Sequence, residues 1–309
     1  MPGSTPDFRA GKWDQGSLPL SKPRRHNPVT YGEPSVFATG FEFPEGPSFD
    51  RAGNLYIADA GQRAIPRVSP GGGVSIFARS EGGPNGTAFH RNGDLYAAEP
   101  EGKRVIRVTP SGAIHVVAAE FNGRPLLAPN DITFDLRGRA YFSDPGDSRL
   151  EDPSGRVFRI DIDGSLYLLA ERMAYPNGLA IAPDGCTLVV AETFTRLLHR
   201  FTLDDAGTVS HKSEFASVDT GREGEVGPDG MAFDEAGYLH VAIFGGGIVA
   251  VVSPEGEFVH RIPAGGLRPT NVAFGGPERR SLYITETENK VVTVVRVPRP
   301  GLRLFGESD

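Results

Sequence analysis

The chain has 309 residues and a formal net charge of −7 at neutral pH. Apolar residues make up 39% of it, while Gly (40) and Pro (26) together exceed a fifth, too turn-rich for a helical bundle and too apolar for disorder. No run of Lys or Arg exceeds two residues, which argues against a nucleic-acid footprint, and no apolar stretch approaches the ~20 residues that span a bilayer.

Residues 1–34 are rich in Pro, Gly and basic side chains, hold the single tryptophan, Trp13, and fit no repeat. They are expected to form an arm packed on the outside or over one face of the domain that follows. The start Met-Pro-Gly-Ser-Thr-Pro-Asp lacks the charged-then-apolar pattern of a secretory signal, so a cytoplasmic protein is the default expectation. The one cysteine, Cys186, excludes an intramolecular disulfide and a thiolate metal cluster. Its place in Pro-Asp-Gly-Cys-Thr-Leu, a turn running into a strand, predicts a buried structural thiol.

From residue 35 onward one pattern returns six times. A turn opening on Pro leads into a short apolar run, then a second turn, a strand of the Leu-Tyr-Ile-Ala type, a polar loop and another apolar strand. The turns are Pro44-Glu45-Gly46, Pro84-Asn85-Gly86, Pro129-Asn130-Asp131, Pro176-Asn177-Gly178, Pro228-Asp229-Gly230 and Pro269-Thr270-Asn271. Counted at the residue after Pro, the spacings are 40, 45, 47, 52 and 41. Each unit holds three to four short strands, the dimension of a propeller blade. No stretch has the 3.6-residue period that a helical solenoid requires. The repeat therefore predicts an all-β, six-bladed propeller over residues 35–297, with 298–309 as a C-terminal tail. Ring closure predicts that Pro34-Ser35-Val36-Phe37-Ala38 is the outer strand of the last blade, beside 291–297.

The innermost strand of a blade lines the central channel, so the residue after each Pro faces the axis. Those residues are Glu45, Asn85, Asn130, Asn177, Asp229 and Thr270. All carry a side-chain oxygen, and none is His or Cys. Asn and Asp are ordinary turn residues, because they tolerate left-handed backbone and cap their own chain. Six at one point of a closed repeat are nevertheless brought together by symmetry, and Glu45 is a poor turn residue. The set suits a hard cation: Ca²⁺ takes 6–8 oxygens and accepts mixed carboxylate, amide and water ligands, whereas Zn²⁺ favours nitrogen or sulfur.

Other features are weaker. Asp59, Glu99, Asp144 and Glu192 end the second strands of the first four units, near the same rim, either as solvated strand ends or with a role at the site. No His lies in a nucleophile-elbow context and no Gly-x-Ser-x-Gly occurs, which argues against a Ser-His-Asp hydrolase. Gly245-Gly246-Gly247 has no following helix and is not a phosphate cradle.

Glu45-Gly46-Pro47, Pro129-Asn130-Asp131 with Tyr141-Phe142-Ser143-Asp144-Pro145, Pro176-Asn177-Gly178-Leu179-Ala180 and Pro228-Asp229-Gly230-Met231 together resemble the gluconolactonase/regucalcin (senescence marker protein) family of six-bladed propellers. The resemblance covers residues 35–297. It implies a catalytic Ca²⁺, or Zn²⁺, Mg²⁺ or Mn²⁺ in its place, held by Glu45, Asn130, Asn177 and Asp229. Asn85 has no counterpart among those ligands and is placed beside them, on the substrate side. Members of the regucalcin type that act on sugar lactones carry Arg two positions before the Asn of the third blade, where this chain has Ala128.

The activity implied is metal-dependent opening of a lactone, with a polarised carbonyl, an activated water and Asp229 as general base or as nucleophile. Phosphotriester hydrolysis at the same ion and a non-catalytic, ion-stabilised binding propeller are the alternatives. Asn85, Asp144, Tyr175 and Phe244 are expected at the substrate, with Phe43 and Phe194 on loops that can wall an apolar pocket. The expected partner is a small-molecule lactone or ester, with no nucleic acid and no membrane.

Overall fold

The computed structural model describes residues 30–307. Most of the expected N-terminal arm, with Trp13, lies outside the described residues. Six four-stranded antiparallel sheets follow one another around a central channel. Their inner strands are Pro44–Phe49, Thr87–Phe89, Ile132–Phe134, Pro176–Ile181, Gly227–Phe233 and Pro269–Gly275, taken here as opening blades 1 to 6. Within each of the first five blades the chain runs outward, strand by strand, through tight turns. A small hairpin, Glu120–Phe121 with Arg124–Pro125, sits between blades 2 and 3. The described helical segments are two short 3-10 turns, Pro277–Arg279 and Phe305–Glu307. No helix among the described residues is long and apolar enough to cross a membrane.

Closure occurs as the sequence pattern requires. Ser35–Thr39 is the outer strand of blade 6 and pairs antiparallel with Val291–Arg296, Ser35 opposite Val294 and Thr39 opposite Val291. The first described strand thereby completes the four-stranded sheet of the last blade. Just before it, the Gly32 N–H donates to the Arg296 carbonyl at 2.8 Å.

The core lies between the sheets. Val189, Ala191 and Leu198 of blade 4 pack on Phe233, Leu239 and Val241 of blade 5. At the closure, Ala38, Tyr283 and Val292 of blade 6 pack on Leu55, Ile57 and Val68 of blade 1. A large apolar side chain buried in such a contact contributes about 1.5–3 kcal/mol, which is why blades that cannot stand alone are stable in a closed ring.

At the lower end of the channel the C-terminal segment crosses the opening. The Leu302 N–H donates to the Phe233 carbonyl at 2.9 Å, and the buried Phe305 ring lies 5.0 Å from His90 and 5.7 Å from Phe134. Cys186 departs from expectation: it is exposed. The Asp184 carboxylate accepts the N–H groups of Cys186 and Thr187 and the Thr187 hydroxyl. The cysteine therefore belongs to the turn, and its side chain faces solvent.

Candidate active site

The upper rim of the channel is built by the six Pro-initiated turns, and buried carboxylates hold those turns in place. Asp59 accepts the N–H groups of Glu42 and Phe43, both at 2.9 Å, immediately before Pro44. Asp144 accepts those of Leu127 and Ala128 at 2.8 and 2.7 Å, before Pro129. Glu192 accepts that of Ala174 at 2.5 Å, ahead of Pro176. Glu286 accepts that of Arg268 at 3.0 Å, before Pro269. The strand-end acids of blades 1, 3, 4 and 6 thus fix where the channel residues of those blades start. Asp144 is fully buried and ion-paired to Arg156, so its oxygens are already engaged and it acts on the site by holding the 127–129 turn, not by touching substrate.

Neighbouring turns are also stitched to one another. The Thr87 hydroxyl donates to the Gly46 carbonyl at 2.6 Å, and the Gly86 N–H to the Asn130 carbonyl at 2.7 Å. The Thr193 hydroxyl donates to the Pro228 carbonyl at 2.8 Å, and that of Thr270 to the Pro44 carbonyl at 3.0 Å. The inner strands come so close that a Cβ added to Gly86 would overlap the Asp131 side chain, and one added to Gly230 would overlap Asn271. Glycine at those two points makes room for the larger side chain of the next blade.

Glu45, Asn177 and Asp229 are buried at the channel, and Asn85 and Asn130 are half-buried beside them. Burial, and then repulsion from Asp131, pushes the Glu45 carboxyl up to about 8. Asp229 is raised well above the usual carboxylate range by burial, then by Glu45, then by Asp131. Asp131 itself is raised to about 6, chiefly by burial. Three acids thus share one enclosed space. Asn177 Nδ2 donates to the Thr193 hydroxyl at 3.2 Å, while Asn177 Oδ1 is buried without a hydrogen-bond partner. Thr270 is buried with its hydroxyl already engaged, 3.0 Å from the Pro44 carbonyl and 2.8 Å from Thr285 Oγ1.

Buried acids that repel one another and an unpartnered amide oxygen are groups whose burial a bound cation could offset. Among the described residues no group of three or more His, Cys, Asp and Glu side chains has the geometry of a metal site. This ring differs in drawing half its donors from carboxamides, a mixture that hard cations accept.

Two residues of the second tier are absent from the sequence-based set. Asp131 and Asn271 follow the ring residues of blades 3 and 6, where blades 1, 2, 4 and 5 have glycine. That break in the glycine pattern is the signal that could have found them. Tyr175 and Phe244 stand at the upper rim, each half-buried. Tyr175 meets Phe194 edge-on at 5.4 Å, and Arg268 lies over Phe244 at 5.7 Å.

Residues 43–288 match the family model described as the SMP-30/Gluconolactonase/LRE-like region. Over 140 residues the chain is 37% identical to a 6-deoxy-6-sulfogluconolactonase of Pseudomonas putida, covering 44% of this chain and 46% of that protein. The chain spans about half the length of the curated relatives it matches. The solved gluconolactonase of Xanthomonas campestris superposes with a TM-score of 0.75 at 26% identity, over 86% of this chain and 89% of the other. A calcium-binding protein, regucalcin, from Agrobacterium tumefaciens shares the fold, with a TM-score of 0.74 at 18% identity over 87% and 97% of the two chains.

Proposed function

The chain belongs to the SMP-30/gluconolactonase/LRE-like family, and from that premise we propose that it is a divalent-cation-dependent hydrolase that opens a lactone ring. The observation that carries the reading is Asn177 Oδ1, buried and unpartnered, beside two carboxyls, Glu45 raised by burial and by Asp131, and Asp229 raised by burial and by Glu45. The names of the lactonase relatives support the reaction class.

Glu45, Asn130, Asn177 and Asp229 would hold the ion, with Ca²⁺ favoured by an all-oxygen donor set. When bound, such an ion supplies Lewis acidity toward a carbonyl oxygen. The two carboxylates balance a +2 charge, while the carboxamides add donors without adding charge. Thr193 fixes the Asn177 amide so that its nitrogen is engaged and its oxygen is left available. Asp229 would accept a proton from water or attack as a nucleophile. Tyr175 and Phe244 give the entrance an apolar wall with one phenol.

The test is chelation followed by reloading. Lactone opening above the spontaneous rate should disappear after exhaustive EDTA treatment and return on adding Ca²⁺ or another divalent ion. Undiminished opening by metal-stripped protein would sink the cation dependence, and no opening of any lactone would sink the reaction class.

A further inference from the structure

Above the ring, three loops meet in a shelf that lactone opening alone does not explain. Tyr175 has φ +66°, in the left-handed region, although it is bulky and precedes Pro176. Both features disfavour that backbone, and strain of this kind gathers at ligand sites. The conformation is held by its neighbours. The Tyr175 N–H donates to the buried Ser148 Oγ at 2.9 Å, and Phe194 packs edge-on against the phenol ring at 5.4 Å. The Arg149 guanidinium lies over the Phe194 ring, its Cζ 5.1 Å from the centroid.

Tyr175 lies two residues before Asn177, and Phe194 directly follows Thr193, whose hydroxyl accepts from Asn177 Nδ2 at 3.2 Å, so the two rings and the guanidinium stand beside the ring of channel residues. Arg149 is exposed at the rim, and among the described residues no carboxylate lies within 4.0 Å of its guanidinium. Asp147, Glu151 and Asp152 share its loop, and the contact with Asp152 is through backbone, Arg149 N–H to the Asp152 carbonyl at 3.0 Å. Stacking uses the face of a guanidinium and leaves its in-plane N–H donors free, the edge that binds oxyanions in a fork.

We propose that Arg149, stacked on Phe194 beside Tyr175, recognises an anionic substituent on the substrate at the end remote from the lactone carbonyl. A phosphate, sulfonate or carboxylate would satisfy the same donors. The proposal rests on the lactone-opening reading for its substrate, but the recognition can be read without turnover.

Rates of opening of 6-phosphoglucono-1,5-lactone and of glucono-1,5-lactone, each above its spontaneous rate, should be compared in wild type, Arg149→Met and Arg149→Lys. Wild type should favour the phosphorylated lactone by about tenfold or more, the scale of one charge-assisted hydrogen bond, with the preference in KM and shrinking as salt rises. Arg149→Met should lose the preference and keep its rate on the neutral lactone, and Arg149→Lys should retain part of it. An equal ratio in wild type and Arg149→Met overturns the proposal. Calorimetric binding of 6-phosphogluconate and gluconate to the same proteins separates the two readings should neither lactone be opened. Tighter 6-phosphogluconate binding that depends on Arg149 sustains the anion site, and identical binding by wild type and Arg149→Met removes it.

Discussion

Asn271 reaches across the channel to Asp131, its Nδ2 3.5 Å from Asp131 Oδ2. The two residues sit 140 positions apart in the chain and three blades apart in the ring, on opposite walls. Each also binds its own strand: Asp131 Oδ1 accepts the Ile132 N–H at 2.9 Å, and Asn271 Oδ1 accepts the Val272 N–H at 2.8 Å. The pair forms a bar beneath the ring residues and adds a third carboxylate to their field.

That third charge has opposite consequences for the empty and the loaded site. Asp131→Asn keeps the shape of the bar and removes a repulsion felt by both Glu45 and Asp229. Chelated protein should therefore melt at a higher temperature than chelated wild type, while Ca²⁺ affinity falls by about tenfold or more, because attraction across a poorly screened interior is lost. Thermal scans in EDTA and calcium titration calorimetry read the two effects. Movement of both in the same direction would show that Asp131 acts through packing alone.

Asp229→Asn preserves size and one ligand oxygen but removes a charge and any role as base or nucleophile. Lactone turnover should drop by about 10²-fold or more, the scale of losing a general base, with the fold intact by circular dichroism. Asn85→Ala should cost much less, since Asn85 is half-buried beside the ring and is assigned no ligand role. Wild-type turnover in Asp229→Asn would take Asp229 out of the chemistry.

The raised carboxyls give the cation-free protein an unusual pH profile. A carboxyl that titrates at about 4.5 unfolded and about 8 folded, as Glu45 does, binds its proton more tightly in the folded state. Its contribution is complete below pH 4.5 and is lost as pH rises toward 8. Cation binding requires the ionised form and gains over the same interval. The difference in melting temperature between Ca²⁺-loaded and chelated protein should widen from pH 5 to pH 8. A constant or narrowing gap would contradict the assignment of Glu45 and Asp229 as ligands.

His240 works in the other direction. It is buried, its Nδ1 has no partner, and burial pushes its imidazole down to about 3. A base depressed on folding supports stability above its unfolded value near 6.5 and loses that support as pH falls toward 3. Acid titration of His240→Phe followed by fluorescence should show unfolding at lower pH than wild type. The ring packs edge-on against Phe274 at 5.0 Å, a contact that phenylalanine would keep. An unchanged acid midpoint would mean that other groups govern acid unfolding.

The period of the chain was legible from residue order alone. Six turns at spacings of 40 to 52 determine six blades, because a strand-turn unit of that length is a local matter of alternation and turn chemistry. The pairing of residues 35–39 with 291–296 followed from the need for one terminus to complete a blade begun at the other. The oxygen-bearing residue after each Pro followed from symmetry, which carries six equivalent positions to one axis, and the resemblance to the gluconolactonase/regucalcin family implied Glu45, Asn130, Asn177 and Asp229 among them. What each side chain meets there was decided only by the closed ring. Thr270 turns to the Pro44 carbonyl and Thr285, Asp144 spends its carboxylate on two backbone N–H groups and Arg156, and Cys186 faces solvent. Asp131 and Asn271 meet because closure places blades 3 and 6 opposite each other and the glycines of blades 2 and 5 leave them space. No local pattern encodes a contact between residues 140 apart; its partners are chosen by the radius of the ring and by the cost of leaving a buried polar atom unpaired.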